Sequence, residues 1–232
     1  MSKTIYISHG DKGGCGKSLL AMIIASILSV KKMPLLLVEA DANQSGGQPD
    51  VAPRFENDDY AEVVMAPISG QESAEDLIAD LFEIIEQTDV EHIVINTPAG
   101  ASETLEQVGE LIGLACKSLG YRLVIFYNIF KTEVAVKQAE LVLEGNLVKH
   151  ADELYLVKNA FFGIPELSSR ISLLESFEIP VLHKNVMEKL GDRQNFAKAL
   201  KTFPIMQRIQ VEQFFKSLQN QGFFEVLKLE EQ

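Results

Sequence analysis

The chain has 232 residues, 47% of them apolar, with a formal net charge of −12. That is enough apolar material for one substantial core, and no run of about 18 apolar residues is present to suggest a membrane span. Cys15 and Cys116 give neither a disulfide framework nor zinc spacing, and no charged and apolar leader opens the chain, so a soluble, cytoplasmic, reduced protein is expected.

Apolar runs alternate with amphipathic stretches along the whole chain. Strands are predicted over 3–8, 34–39, 92–96, 121–127, 153–158 and 180–183, with a weaker one over 61–66. Helices are predicted over 17–31, 73–87, 102–118, 131–147, 165–176, 187–201 and 206–220. Strands such as Leu35-Leu36-Leu37-Val38 and Ile93-Val94-Ile95 are apolar throughout, as parallel strands covered on both faces must be. The expectation is an α/β fold, a mostly parallel twisted sheet with helices on both faces, in a single domain over 1–232. Ligands then sit beyond the carboxyl ends of the strands.

The first strand runs into Asp11-Lys12-Gly13-Gly14-Cys15-Gly16-Lys17-Ser18, and a helix follows at once. Strand, glycine loop and helix are the context that a phosphate-binding loop requires. Glycines let successive backbone N–H groups turn inward around phosphate oxygens, at the positive end of the helix. Lys17 is placed to reach the β- and γ-phosphates, and Ser18 to ligate Mg²⁺. Lys12 is a second lysine in the same loop. Two lysines cannot both serve one γ-phosphate without crowding charge, so Lys12 is expected to point elsewhere, for example toward a second nucleotide across a dimer interface.

The second strand ends Val38-Glu39-Ala40-Asp41, putting two carboxylates on one side of a strand tip beside the expected metal. The next buried strand ends Asn96-Thr97-Pro98-Ala99-Gly100, and Leu154-Tyr155-Leu156-Val157 leads into Lys158-Asn159.

Together these segments resemble the deviant Walker A ATPases of the ParA/MinD family, whose loop reads K-G-G-x-G-K-[ST]. The resemblance implies a P-loop NTPase fold, ATP with Mg²⁺, and an ATP-dependent homodimer in which Lys12 completes the partner's site. It further implies that Asp41 positions the attacking water, that Gly100 offers its N–H to the γ-phosphate, and that Asn159 reads the adenine edge. The phosphates would lie on Lys12, Gly13, Gly14, Cys15, Gly16, Lys17 and Ser18. Metal ligation would fall to Ser18, Glu39 and the strand-end position. Two departures bear on this. Glu39 stands where the family has Asp, and Asn96 stands where it has the strand-end Asp that holds Mg²⁺ through water. Slow hydrolysis and weak metal affinity are therefore expected, with Asn96→Asp lowering the Mg²⁺ requirement.

The function so implied is an ATP-driven switch that positions or segregates DNA or a large complex, read by a protein partner. The rivals are a small-molecule ligase or kinase of the P-loop class, and a nucleotide-binding scaffold that barely hydrolyses. Lys12 argues against the kinase, which needs no trans-acting lysine, and the four histidines are scattered without metal spacing. Cys15 fills a variable loop position and Cys116 packs on a helix, so no bridging cluster is expected.

Charge is uneven. Residues 48–110 hold sixteen Asp or Glu and a single basic residue, Arg54, whereas 181–220 hold seven Lys or Arg against three acids. Direct DNA contact, weak and non-specific, is expected only through 181–220. The aromatic C-terminal stretch with Phe214, Phe215, Phe223 and Phe224 lacks the basic face of a membrane-surface helix, so packing against the domain or a partner is expected.

Overall fold

The computed structural model describes residues 3–10, 12–41, 50–68, 73–191 and 193–229. Among these residues seven strands form one sheet in the order β3-β2-β4-β1-β5-β6-β7: β1 (Thr4–His9), β2 (Leu35–Glu39), β3 (Ala61–Met65), β4 (His92–Asn96), β5 (Arg122–Ile129), β6 (Glu153–Asn159) and β7 (Ser176–Ile179). Every pairing is parallel.

Strand periodicity explains the two cores. Tyr6, Leu35, Leu37, Val94, Val124, Phe126, Tyr155 and Val157 all project to one face of the sheet. There they meet α1 (Lys17–Val30) and, further along the chain, α8 (Phe196–Thr202), α9 (Ile205–Gln219) and α10 (Phe223–Val226). Their neighbours Ile5, Ile7, Leu36, Val38, Ile93, Ile95, Leu123 and Ile125 project to the other face. That face is covered by α2 (Ala74–Glu86), α3 (Ser102–Gln107) and α4 (Gly109–Ser118). The fold is the expected three-layer α/β arrangement. Phe214, Phe215 and Phe223 are buried in the α1-side core, so their apolar surface is spent on the domain.

Several predicted helices are shorter or divided. The stretch 102–118 breaks at Val108 between α3 and α4, and α4 opens on Gly109, where a side chain would stand 2.3 Å from the backbone nitrogen of Leu147. Leu147 belongs to α6 (Asn146–Lys149), which follows α5 (Glu133–Val142), so the stretch 131–147 is also two helices. The stretch 187–201 is likewise two, α7 (Lys184–Leu190) and α8, parted where Gly191 turns at φ 49° and the Asn195 side chain caps α8 by accepting from Lys198 N–H at 2.8 Å.

Two expectations are corrected. Residues 165–175 form irregular chain and turns rather than a helix, and Ser176 opens β7. The serines divert the backbone there: Ser172 Oγ donates to Ser169 O at 3.1 Å, and Ser168 Oγ donates to Glu140. Ile171 is inserted fully into the core, with Leu167 and Leu174 packed beside it. The last strand lies at 176–179, not 180–183. Pro180 has no N–H to offer the ladder, so pairing ends before it. The Gln221 side chain covers that edge strand, accepting from Glu178 N–H at 2.7 Å and donating to Glu178 O at 2.9 Å.

Candidate nucleotide-binding site

The site grows from the same period of two. The last α1-facing position of each central strand is polar, and in sheet order these residues are Glu39, Asn96, Ser8, Asn128 and Asn159. All five are buried. They form a polar layer beneath the start of α1. Ser8 Oγ donates to Lys17 O at 2.9 Å, and Asn128 Nδ2 donates to Ser8 Oγ at 3.2 Å and His9 O at 3.0 Å.

The loop lies over this layer. Asp11 and the segment Ala42-Asn43-Gln44 fall outside the described residues. Gly14 and Gly16 have φ of 75° and 116°, values that only glycine adopts without strain, and Gly16 caps α1 without any side-chain bond. Among the described residues, the first N–H groups of α1 therefore have no side-chain acceptor of the kind that Ser73 gives α2 and Thr132 gives α5. Gly16 is also hemmed in from below: a side chain there would meet Asn159 Nδ2 at 3.0 Å and Asn128 Oδ1 at 3.6 Å. Ala99 touches the loop from the β4 side, 3.8 Å from where a side chain on Gly13 would stand. Gly100 is exposed with φ of 82°. Cys15 is buried.

The two loop lysines part company. Lys17 is 6% exposed, and its Nζ folds back to Lys12 O at 3.3 Å, across the mouth of the loop. Lys12 is exposed, with its Nζ 4.4 Å from the centre of the Phe130 ring. Phe130 packs in turn on Phe162.

The carboxylates also divide. Glu39 is fully buried, accepting from Asn96 Nδ2 at 2.6 Å, Val51 N–H at 2.9 Å and Ala52 N–H at 3.2 Å. Both its oxygens are thus engaged by protein groups. Asn96 Oδ1 has no partner among the described residues. Asp41 is half-buried, and burial raises its carboxyl pKa; the Lys17 charge works against that rise and Asp50 reinforces it. Asp50 accepts from Ser18 Oγ at 3.2 Å. Among the described residues no three His, Cys, Asp or Glu side chains are grouped to hold a metal. The hard oxygens near the start of α1 are Ser18 Oγ and the Asp50 carboxylate, with the Asp41 carboxylate close enough to feel the Lys17 and Asp50 charges. They suit Mg²⁺, which fills its remaining positions with phosphate oxygens and water.

Asn159 is placed differently from a free base reader. Its Oδ1 accepts from Phe161 N–H at 3.1 Å, and its Nδ2 lies against Gly16. Behind β1, on the opposite face, buried His9 meets Ser102 Oγ at 3.4 Å. Burial, helped by the Lys17 charge, brings its pKa down to about 4, so the ring is neutral at pH 7. Sequence reasoning misses Asn128 and Asp50. Asn128 carries the same signal as Asn96, a polar residue closing an apolar run. Asp50 carries none, because its role depends on how the chain returns after β2.

No family model matches the chain. Protein MobD of Acidithiobacillus ferrooxidans is 25% identical over 163 residues, 70% of this chain and 66% of that protein, just under two thirds of its length. Among solved structures, the MinD cell division protein of Aquifex aeolicus aligns with a TM-score of 0.52 at 14% identity, over 92% of this chain and 97% of that one. The chain has the α/β fold of these P-loop NTPases. A putative plasmid partition protein from Borrelia burgdorferi B31 bound to AMPPNP gives 0.50 at 15% identity, over 93% of this chain and 99% of that one. FtsY from Mycoplasma mycoides also gives 0.52 at 15% identity, but the alignment covers only 67% of it. The likeness to MinD and to the partition protein runs over nearly the whole length on both sides of the comparison.

Proposed function

We propose that the chain is an ATP-dependent switch of the ParA/MinD type, which dimerises on ATP and positions or segregates DNA or a large complex through a protein partner in the cytoplasm. The observation that carries this reading is the division between the two loop lysines. Lys17 spans its own loop, where it meets the β- and γ-phosphates. Lys12 stands outside on Phe130, clear of its own phosphate pocket and available to the nucleotide of a second subunit. The likeness to a partition protein bound to AMPPNP, and to MobD, supports the same reading. Adenine is favoured over guanine, since nothing in the sequence resembles the N-K-x-D signature of guanine readers.

In this reading the bare N–H groups of α1 and the loop hold the phosphates, and Ser18 ligates Mg²⁺. Asp41 orients the attacking water by position more than by strong basicity, and Gly100 offers its N–H to the γ-phosphate. Asn159 supports the loop floor beside the adenosine. Hydrolysis is slow. A second reading, a nucleotide-binding scaffold with almost no turnover, is favoured by one feature: the strand-tip acid Glu39 is engaged by Asn96 and two backbone N–H groups.

Equilibrium binding of a fluorescent ATP analogue tests the proposal. Lys17→Ala should reduce affinity by about tenfold or more, since a charge-assisted phosphate contact is worth about 1.5–3 kcal/mol. Equal affinity in the variant, or GTP displacing the probe better than ATP, would overturn it.

A further inference from the structure

The family resemblance places metal-side acidity at the tips of β2 and β4, and this chain has altered both positions. Asn96 has no charge, and Glu39 is turned to its neighbours. A carboxylate nevertheless reaches Ser18, supplied by the chain as it returns to the sheet after β2. Asp50 Oδ2 accepts from Ser18 Oγ at 3.2 Å.

Its backbone is held from its carbonyl onward. Asp50 O accepts from Arg54 Nε at 2.8 Å. The next two N–H groups, of Val51 and Ala52, donate to the buried Glu39 carboxylate at 2.9 and 3.2 Å. Val51 and Phe55 enter the α1-side core on the same turn, which keeps the turn from sliding along the sheet. Arg54 ties its far end to Gly191 O at 2.6 Å and Gln194 O at 3.2 Å. Asp50 is thereby presented, not loosely tethered, while its side chain stays exposed to solvent.

We propose that Asp50 is the carboxylate this chain turns toward the metal beside Ser18, and that Glu39 is the buried anchor that sets it there. The proposal rests on the reading of the loop as a nucleotide–Mg²⁺ site. It moves the negative charge from a strand tip to a turn held against that tip. Glu39 and Asn96 act as positioning residues: Asn96 supplies the donor that keeps Glu39 oriented, and Glu39 supplies the acceptor that closes the turn.

The test separates nucleotide affinity from metal affinity. A fluorescent ATP analogue is bound to wild type, Asp50→Asn and Glu39→Gln, first in EDTA and then along a Mg²⁺ titration, with thermal melts confirming folding. Asp50→Asn should bind the analogue in EDTA like the wild type but need about tenfold more Mg²⁺ to reach its half-maximal enhancement, as for loss of one ordering partner at a metal. Glu39→Gln should move the same midpoint in the same direction by misplacing Asp50. An unchanged midpoint in Asp50→Asn, with binding intact, overturns this inference and leaves the nucleotide site standing. Absence of any binding by the folded wild type overturns both.

Discussion

Asn96 Nδ2 lies 2.6 Å from Glu39 Oε1, and the two residues are direct register partners on β4 and β2. Two departures from the family pattern, separate in sequence, are thus one contact in space. An amide facing a buried carboxylate makes a charge-assisted hydrogen bond, whereas two acids in these places would repel. This reverses the expectation that Asn96→Asp improves the metal site. The variant should lose about 3 kcal/mol of stability, roughly 10 °C in Tm for a chain of this size, because it leaves Glu39 beside a like charge. Adding Glu39→Gln should recover part of it, since the amide introduced on β2 can donate to the carboxylate introduced on β4. Thermal melts of the single and double variants measure this, and a fully additive double variant would deny the coupling.

His9 makes stability depend on pH. Its pKa falls from 6.5 in an exposed setting to about 4 when buried against Ser102 and near Lys17. Between those values the unfolded chain binds a proton that the folded chain refuses. Stability should therefore rise as pH increases from about 4 to 6.5, by about 3 kcal/mol from this group, and His9 should contribute no slope above that window. Burial lowers His92 too, so it adds to the same trend. Urea unfolding across this range should show a shallower slope in His9→Gln, leaving the share of His92. An unaltered slope would mean that His9 is protonated in the fold.

The basic segment gathers only in part. Arg193, Lys198 and Lys201 line one cleft with Arg54, facing Asp58 and Asp59, while Lys184 pairs with Glu188 and Lys189 lies over Phe203. If this cleft touches DNA phosphates, neutralising Lys198 and Lys201 together should weaken binding uniformly across sequences and flatten the log–log salt slope by about 2. Fluorescence anisotropy on duplexes of unrelated sequence reads this, and tight binding at high salt in the double variant would point to a different surface.

The central fold is legible because the inner strands run apolar on both faces, and the glycine loop announces its own geometry. The polar layer is legible only piecemeal. Glu39, Asn96 and Asn159 each stand out as a polar residue ending an apolar run, but sequence spacing gives no hint that Glu39 and Asn96 face each other. That follows from sheet order, since β4 inserts between β1 and β2. The stretch 165–176 misleads because its Leu and Ile spacing imitates a helix face, while its serine hydroxyls engage a backbone carbonyl and Glu140 within a run of turns. The displaced last strand shows Pro180 terminating the apolar run that its position suggests it should open.

In the proposed switch, Lys12 is the residue that acts across the dimer. Light scattering coupled to size-exclusion chromatography, at one protein concentration in Mg²⁺ with ATP or with ADP, tests its role directly. Wild type should run as a dimer in ATP and a monomer in ADP, and Lys12→Ala should bind ATP normally yet fail to form the stable dimer. The same mass in both nucleotides, or a Lys12→Ala dimer as stable as the wild type, would contradict the trans-acting lysine and the switch built on it.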